Sequence, residues 1–487
     1  MELSKEIRDK YQAVIGLEVH AQMLTQSKAY SSDANLYGAA PNTLVSPITL
    51  GHPGTLPKMN KATIDYAIKM GIACNCDITE NQYFARKNYF YPDLPKGYQI
   101  TQDTTPICTG GMVNIKTVDG QTKQIGLTRI HMEEDAGKSI HDIDPFNTLV
   151  DLNRAGVPLI EIVSEPEIAD STEAYNYVTA VRKLVRYLDI CDGNMEEGSM
   201  RCDANISVML KGSKEFGSKV EVKNMNSIRN VKNAIEFEIT RQIIEVEKGN
   251  DIPSETRNYD AIKGNTTAMR SKEAANDYRF FPEPDLQPIR VTQEHIDKLK
   301  KVMPPLPEFL FEKYTQTLKL SDYDANNIID TKEIALYFET MVAHTKNYKG
   351  AANWLMGEIK SYLNEHAVKI NEFPISGKQM AALVNLIDTG KISNSIASQK
   401  VFPVMLVNVD KLPDEIAAEN NWILDANEDS LAGFIVEIIN ENPDEIERFR
   451  AGDKKLMGLF MGQLMKKSKG KADPKSAGQL LSKMILK

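Results

Sequence analysis

Apolar and polar residues alternate through Tyr11–Met23, where Leu17, Val19 and Ala21 are interleaved with Glu18, His20 and Gln22. A period of two sends the first set to one face of a strand and the second to the other, so a half-buried strand presenting a carboxylate beside an imidazole is predicted. The pattern returns in LTRIHMEEDAGKS (127–139), with His131, Glu133 and Asp135 on one face and Glu134 on the other. It returns again in EEGSMRCDANISV (196–208), where Arg201, Asp203, Asn205 and Ser207 oppose Cys202, Ala204, Ile206 and Val208, and in SKVEVKNMNSIRNV (218–231), with Lys219, Glu221 and Lys223. The segment DLNRAGVPLIEIVSEP (151–166) differs, because Glu161 and Glu165 interrupt an otherwise apolar, strand-like run. Buried carboxylates need partners, and an internal salt bridge to Arg154, a helix cap further on or a bound cation would serve.

Helical periodicity appears near residues 60–72 and 172–190, and Gly, Pro and Asn turns separate the strands, so the chain to about residue 290 reads as α+β. After Pro282, Pro284 and Pro288 the apolar positions recur at spacings of three and four, and helices are expected. A second punctuation, KLPDE (411–415), precedes short amphipathic segments that suggest a small bundle. The predicted units are therefore 1–292, 293–410 and 411–487. A chain of 487 residues exceeds what one hydrophobic core organises, which agrees with several units.

The net charge of -9 argues against a protein that coats nucleic acid over its whole surface. The charge is uneven, however: from Arg448 to Lys487 there are eleven Lys and Arg against two Asp. This excess, including the run KKSKGKADPK (466–475), fits either solvated helix faces or contact with a phosphate backbone. No apolar run approaches the roughly 18 residues of a membrane span, and the polar start MELSKEIRDK is not a secretory signal, so a cytoplasmic protein is expected. Five cysteines whose tightest pair is Cys74-x-Cys76 specify neither a disulfide framework nor a four-cysteine zinc site.

Three acids close together repel unless something positive intervenes. Oxygen-rich and containing imidazole, the set around His20 and Glu133 suits Mg²⁺ better than zinc, with ordinary surface clustering as the alternative. Gly137, Lys138 and Ser139 resemble the end of a phosphate loop, but the earlier glycine it requires would fall at Met132, so that motif fails. FARKNYFYPDLPKGYQI (84–100) interleaves Arg86, Lys87 and Lys96 with Tyr89, Tyr91 and Tyr98, which suits either nucleotide recognition or a loop clamped by aromatic packing. MRSKEAANDYRFFPEPDLQPI (269–289) is similar in kind, with Arg270, Lys272 and Arg279 as candidate phosphate contacts.

Taken in order, GLEVH (16–20), ARKNYFYPDLPKGYQI, HMEEDAGKS, DLNRAGVPLIEIVSEP, MRCDAN, DYRFFPEPDL, ANWLMGEI (352–359) and FMGQLMKKSKGKADP (460–474) resemble the B-subunit family of the tRNA-dependent amidotransferases, GatB/GatE, over nearly the whole chain. The resemblance implies a cradle domain built on an antiparallel or mixed sheet, then an all-α domain and a YqeY-like tail that binds tRNA. It implies a heterotrimer with GatA and GatC, acting as a carbon-nitrogen ligase on misacylated Glu-tRNA(Gln) or Asp-tRNA(Asn). ATP and Mg²⁺ would activate the side-chain carboxylate as an acyl phosphate, and GatA would supply ammonia. Carried over residue by residue, His20, Glu133 and Glu161 are the implied Mg²⁺ ligands, with Glu18, Glu134 and Asp203 in the same acidic pocket. Lys87 and Tyr89 fall in the motif at the ammonia-channel mouth, and Arg154, Lys223 and Arg279 are candidate phosphate contacts by type and position. One departure stands out: many members carry paired cysteines where this chain has Ser31, Asp33, Ser46 and Thr49, so no zinc is expected there and hydrogen bonds or packing should hold the loop. Two other readings stay open from the residues alone, a tRNA-binding adaptor without chemistry and a free-standing Mg²⁺-dependent kinase or ligase.

Overall fold

The structure is a computed structural model that describes residues 3–141, 143–269, 278–424, 428–468, 472 and 474–486. The chain divides into two compact units, Met1–Pro307 and Glu308–Lys487.

The alternating segments of the first unit become neighbouring strands of one sheet. Ten strands carry its main path: β1 (Tyr11–Gln22), β2 (Ala85–Asn88), β3 (Tyr98–Thr101), β4 (Thr122–Glu134), β5 (Pro158–Ser164), β6 (Met200–Leu210), β7 (Val220–Lys223), β8 (Thr256–Asp260), β9 (Asn265–Ala268) and β10 (Arg279–Pro282). Their order across the sheet is β9-β8-β7-β6-β1-β5-β4-β3-β2-β10. Neighbours on this path run antiparallel except β7 and β8, which are parallel, so the sheet is mixed.

One face of the sheet is closed by three helices, α1 (Lys61–Ala73), α2 (Ser171–Tyr187) and α3 (Ile228–Glu247), which contact β4, β1 and β6 respectively. Each begins where a short polar side chain accepts backbone N–H bonds: Asn60 from Ala62, Asp170 from Thr172 and Glu173, and Ser227 from Asn230. Such caps contribute about 1 kcal/mol each. Tyr177, Val178 and Val181 of α2 and Ile235 and Ile239 of α3 are buried with Leu17, Val19 and Ala21 of β1 in a common core. Covering that face leaves the polar partners of the alternation, Glu18 and His20 among them, on the other.

The helix α4 (Gln293–Val302) lies within this unit, which runs to Pro307. Leu299 joins the same core, and His295 Nε2 lies 2.7 Å from Asp65 Oδ1 of α1.

The second unit is helical throughout its described residues. Here α5 (Lys332–Val342), α6 (Gly377–Asp388) and α7 (Pro413–Glu419) pack together, α6 touching both others. A separate core joins α8 (Glu428–Glu441), α9 (Met457–Lys467) and α10 (Pro474–Ile485) through Leu431, Ile435, Phe460, Leu464, Leu481 and Ile485. The segment after KLPDE packs with the preceding helices, while α8 to α10 share a core of their own. No described helix is long and apolar enough to cross a membrane.

Candidate functional site

Register determines which polar residues meet. His20 on β1 pairs with Arg201 on β6 and with Glu161 on β5, and Glu161 pairs in turn with His131 on β4. Directly opposed residues in antiparallel strands share a face, so these four side chains form one lateral row. The next row, two residues along each strand, holds Asp203, Glu18, Val163 and Arg129. On the other side of the His20 row, Leu159 opposes Glu133, which pairs with Thr101 of β3. From these rows Glu18, His20, Arg129, His131, Glu161, Asp203 and Thr101 line a cleft of ≈ 250 Å³ walled by Lys87, Tyr278 and Phe280 on one side and Glu221 and Lys223 on the other.

At its centre, one Glu161 oxygen, Oε2, lies 3.2 Å from His20 Nε2 and 3.3 Å from His131 Nε2. Burial alone would raise the Glu161 carboxyl, but hydrogen bonds from His131 and His20 outweigh it and hold it well below the usual carboxylate range. Burial works against the His20 imidazolium, yet its hydrogen bond and charge attraction to Glu161 prevail and raise it. His131 Nδ1 is buried without a hydrogen-bond partner among the described residues. Ligand atoms of His20, Glu133 and Glu161 all lie within 4.8 Å of one another, a spacing that fits a single divalent ion once the imidazole protons are released. Glu133 Oε2 also accepts from Thr101 Oγ1 at 3.4 Å.

Glu18 is raised by burial, with Glu161 adding repulsion, while Asn205 Nδ2 donates to its Oε1 at 2.8 Å. Asp203 faces Lys223, whose Nζ is 2.6 Å from Asp203 Oδ2 and 2.8 Å from Glu221 Oε1. Burial opposes the Lys223 ammonium, and these two carboxylates more than offset it, raising its pKa. Lys87 lies 4.8 Å from the centre of the Tyr278 ring, and the Tyr89 ring packs edge-on against Tyr278 at 5.8 Å. Tyr89 itself does not line the cleft, and burial pushes its hydroxyl pKa up.

Three residues named from the sequence point elsewhere. Glu134 lies across the strand from Glu133, where it is bonded by Lys96 and accepts from the Ile100 N–H at 2.9 Å. Arg154 donates to the carbonyls of Ala136 (2.9 Å) and Gly137 (2.6 Å) and pairs with neither Glu161 nor Glu165. Arg279 falls between the two cleft residues Tyr278 and Phe280, so alternation turns it away, with its guanidinium 5.8 Å from the Phe281 ring. Asp135, grouped with His131 and Glu133 by alternation, follows the end of β4 and instead binds Arg201 at 2.9 Å and Gln22 at 2.8 Å. Glu165 accepts from Thr128 Oγ1 at 2.8 Å, a local structural contact. Arg270 and Lys272 lie outside the described residues, as do Lys469 and Lys471 of the basic run.

Sequence reasoning passed over Arg129, Thr101, Gln102, Asp103 and Phe280, all of which line the cleft. Arg129 had a usable signal, since it precedes His131 and Glu133 at the same two-residue spacing. Thr101 had none, because it reaches the cleft through pairing with a distant strand. Where Ser31, Asp33, Ser46 and Thr49 stand, the side chains of Ser31, Asp33 and Thr49 and the backbone of Ser46 form a hydrogen-bonded clasp. Asp33 Oδ2 accepts from the Ser46 N–H at 2.9 Å and from the Thr49 hydroxyl, and Ser31 Oγ lies 3.4 Å from Thr49 Oγ1.

With this geometry in hand, comparison with known proteins is specific. The GatB/GatE catalytic domain matches residues 13–297, and the GatB domain matches residues 336–485. The chain is similar, across their length, to proteins named as the B subunit of aspartyl/glutamyl-tRNA(Asn/Gln) amidotransferase. It is 48% identical to that of Geobacter sulfurreducens over 478 residues, covering 98% of this chain and 99% of the relative. It is 46% identical to those of a Synechococcus strain (100% of each) and of Persephonella marina (98% of this chain, 100% of the relative).

Proposed function

The chain belongs to the GatB/GatE family, and from that premise we propose that it is the B subunit of an aspartyl/glutamyl-tRNA(Asn/Gln) amidotransferase. It is thus part of a carbon-nitrogen ligase that converts misacylated Glu-tRNA(Gln) or Asp-tRNA(Asn) to the amidated form. The observation that carries the site assignment is the convergence of His20, Glu133 and Glu161, of which His20 and Glu161 line the open cleft and Glu133 is buried beside them.

A carboxylate is a poor acyl donor because its leaving group would be an oxide, so ATP must first make that oxygen part of a phosphate. The tRNA-borne carboxylate oxygen attacks the γ-phosphorus and ADP departs. Ammonia then attacks the acyl carbon, and inorganic phosphate leaves with that oxygen. His20, Glu133 and Glu161 would hold Mg²⁺, which supplies charge neutralisation for the phosphates. Glu18 and Asp203 extend the acidic floor, and the Lys223 ammonium holds Asp203 in place. Lys87 and Tyr89, packed on Tyr278, would form the entrance through which ammonia arrives from a GatA partner, limiting the water that could hydrolyse the activated acyl group. No Ser, Cys or Lys nucleophile on this chain is required. GatC would complete a cytoplasmic heterotrimer. The three-part division into cradle, helical domain and tRNA-binding tail is part of the same proposal, with the separate core of α8 to α10 supporting an autonomous tail.

The test uses the assembled complex. Variants His20→Ala and Glu161→Ala are expected to keep glutaminase activity and lose ATP-dependent transamidation. Full transamidation by both would overturn the site assignment.

A further inference from the structure

Of the cations facing the cleft, Lys223 is held by Asp203 and Glu221, and Lys87 is placed over Tyr278. Arg129 differs: its guanidinium has no ion pair or hydrogen bond among the described residues, although it is half-buried and lines the cleft. A guanidinium carries five N–H donors and no acceptor, and it cannot shed its charge, so leaving it unpaired in a partly dry cleft is costly. Of the carboxylates around it, Glu161 is committed to the two imidazoles, Glu18 to Asn205 and Asp203 to Lys223, and Asp103, which also lines the cleft, makes no ion pair with Arg129 among the described residues. A donor set of this kind is complete only when an outside anion enters.

We infer that Arg129 grips a phosphate of the nucleotide, opposite the His20–Glu133–Glu161 cluster. This rests on the functional reading above and adds a residue to it. Arg129 and His131 are two residues apart on one face of β4, which separates their attachment points by about 7 Å. Across the sheet, Arg129 is separated from Glu18 by Val163 alone, a small half-buried side chain that leaves a trough between them. A phosphoryl group in that trough would reach the guanidinium fork with two oxygens while still facing the cluster. Bidentate binding of this kind is the geometry in which Arg outperforms Lys. It also supplies the phosphate contact for which Arg154 and Arg279 are badly placed.

The shared chemistry is a phosphate oxyanion, and tRNA also carries phosphates, so the experiment separates the two. Assembled complexes with Arg129→Ala and Arg129→Lys are assayed for transamidation with ATP and aminoacyl-tRNA varied independently, beside Glu161→Ala. Arg129→Ala is expected to lower kcat/KM for ATP by roughly ten- to a hundredfold while the KM for tRNA stays at the wild-type value. Arg129→Lys is expected to fall between the two, a graded response that a merely structural role would not give. Thermal denaturation of each complex identifies a variant that fails to fold, and in that event Arg129→Lys decides. Unchanged ATP dependence, or a rise confined to the KM for tRNA, overturns the inference. If Glu161→Ala is fully active as well, the site reading itself falls; if only the Arg129 variants are normal, this inference alone falls.

Discussion

Replacing Glu161 by Gln keeps the shape of the side chain and removes its charge, and the structure allows the two consequences to be separated. The lost interactions are hydrogen bonds from His20 and His131 at 3.2 and 3.3 Å. Charge-assisted bonds contribute about 1.5–3 kcal/mol each, a gross loss of roughly 3–6 kcal/mol. Against this, an almost buried carboxylate no longer has to be desolvated, which returns several kcal/mol. The His20 imidazole also avoids an unpaired charge by releasing its proton, a route closed to Arg. The net cost to folding should therefore stay near 1 kcal/mol, a fall of about 2 °C in Tm for a unit of this size. Catalysis has no such compensation, because several kcal/mol of charge stabilisation depends on the ligand set, and 2.7 kcal/mol is already about a hundredfold in rate. Glutaminase, ATP-dependent transamidation and thermal denaturation of the assembled Glu161→Gln complex, measured in parallel, should show only transamidation collapsing. Transamidation near the wild-type rate would refute the reasoning, and so would a Tm fall beyond about 10 °C, which would make the cluster a structural element of the fold.

Lys28 is fully buried, donates to the carbonyls of Leu44 (2.7 Å) and Leu152 (3.3 Å), and is lowered by burial from 10.5 to about 8. The unfolded chain thus holds a proton that the folded chain releases between about pH 8 and 10.5, so stability rises with pH across that window. Lys28→Met should remove this part of the slope in urea denaturation at pH 7.5 to 10.5; an unaltered slope would contradict the burial argument. Removing the acceptor of the Ser46–Thr49 clasp with Asp33→Ala should destabilise the first unit by about 1–3 kcal/mol. Metal analysis of the wild-type protein should find no zinc at this loop, and stoichiometric zinc would be decisive against the clasp. In the tail, cutting from Leu456 onward would remove Phe460, Leu464 and Leu481 from a shared core, so charge reversal is the cleaner perturbation. Lys454→Glu, Lys455→Glu and Lys466→Glu, all exposed, should together weaken tRNA binding most at low salt, whereas unchanged affinity would leave the basic tail without that role.

How far the site was legible in the chain follows from where its constraints are written. Facing is local: the two-residue period puts Glu18 and His20 together and sends Leu17, Val19 and Ala21 to the core, and β1 obeys it. The same rule separates Glu133 from Glu134 and turns Arg279 away from the cleft, so admitting Glu134 and Arg279 to the site set the rule aside. Alternation ends with the strand, and Asp135, one residue past β4, answers to Arg201 instead. Register is not local. Nothing in LTRIHMEED or LIEIVSEP says that His131 will oppose Glu161, or that Thr101 will oppose Glu133, because those pairings depend on how strands distant in sequence align. Family likeness supplied that alignment for His20, Glu133 and Glu161, but it gave no role to Arg129, a cation without an ion pair among the described residues that is recognisable only after the partners of Glu161, Glu18 and Asp203 have been traced. Residues defined by what they contact can be carried over from relatives; one defined by what it lacks becomes visible only in a structure.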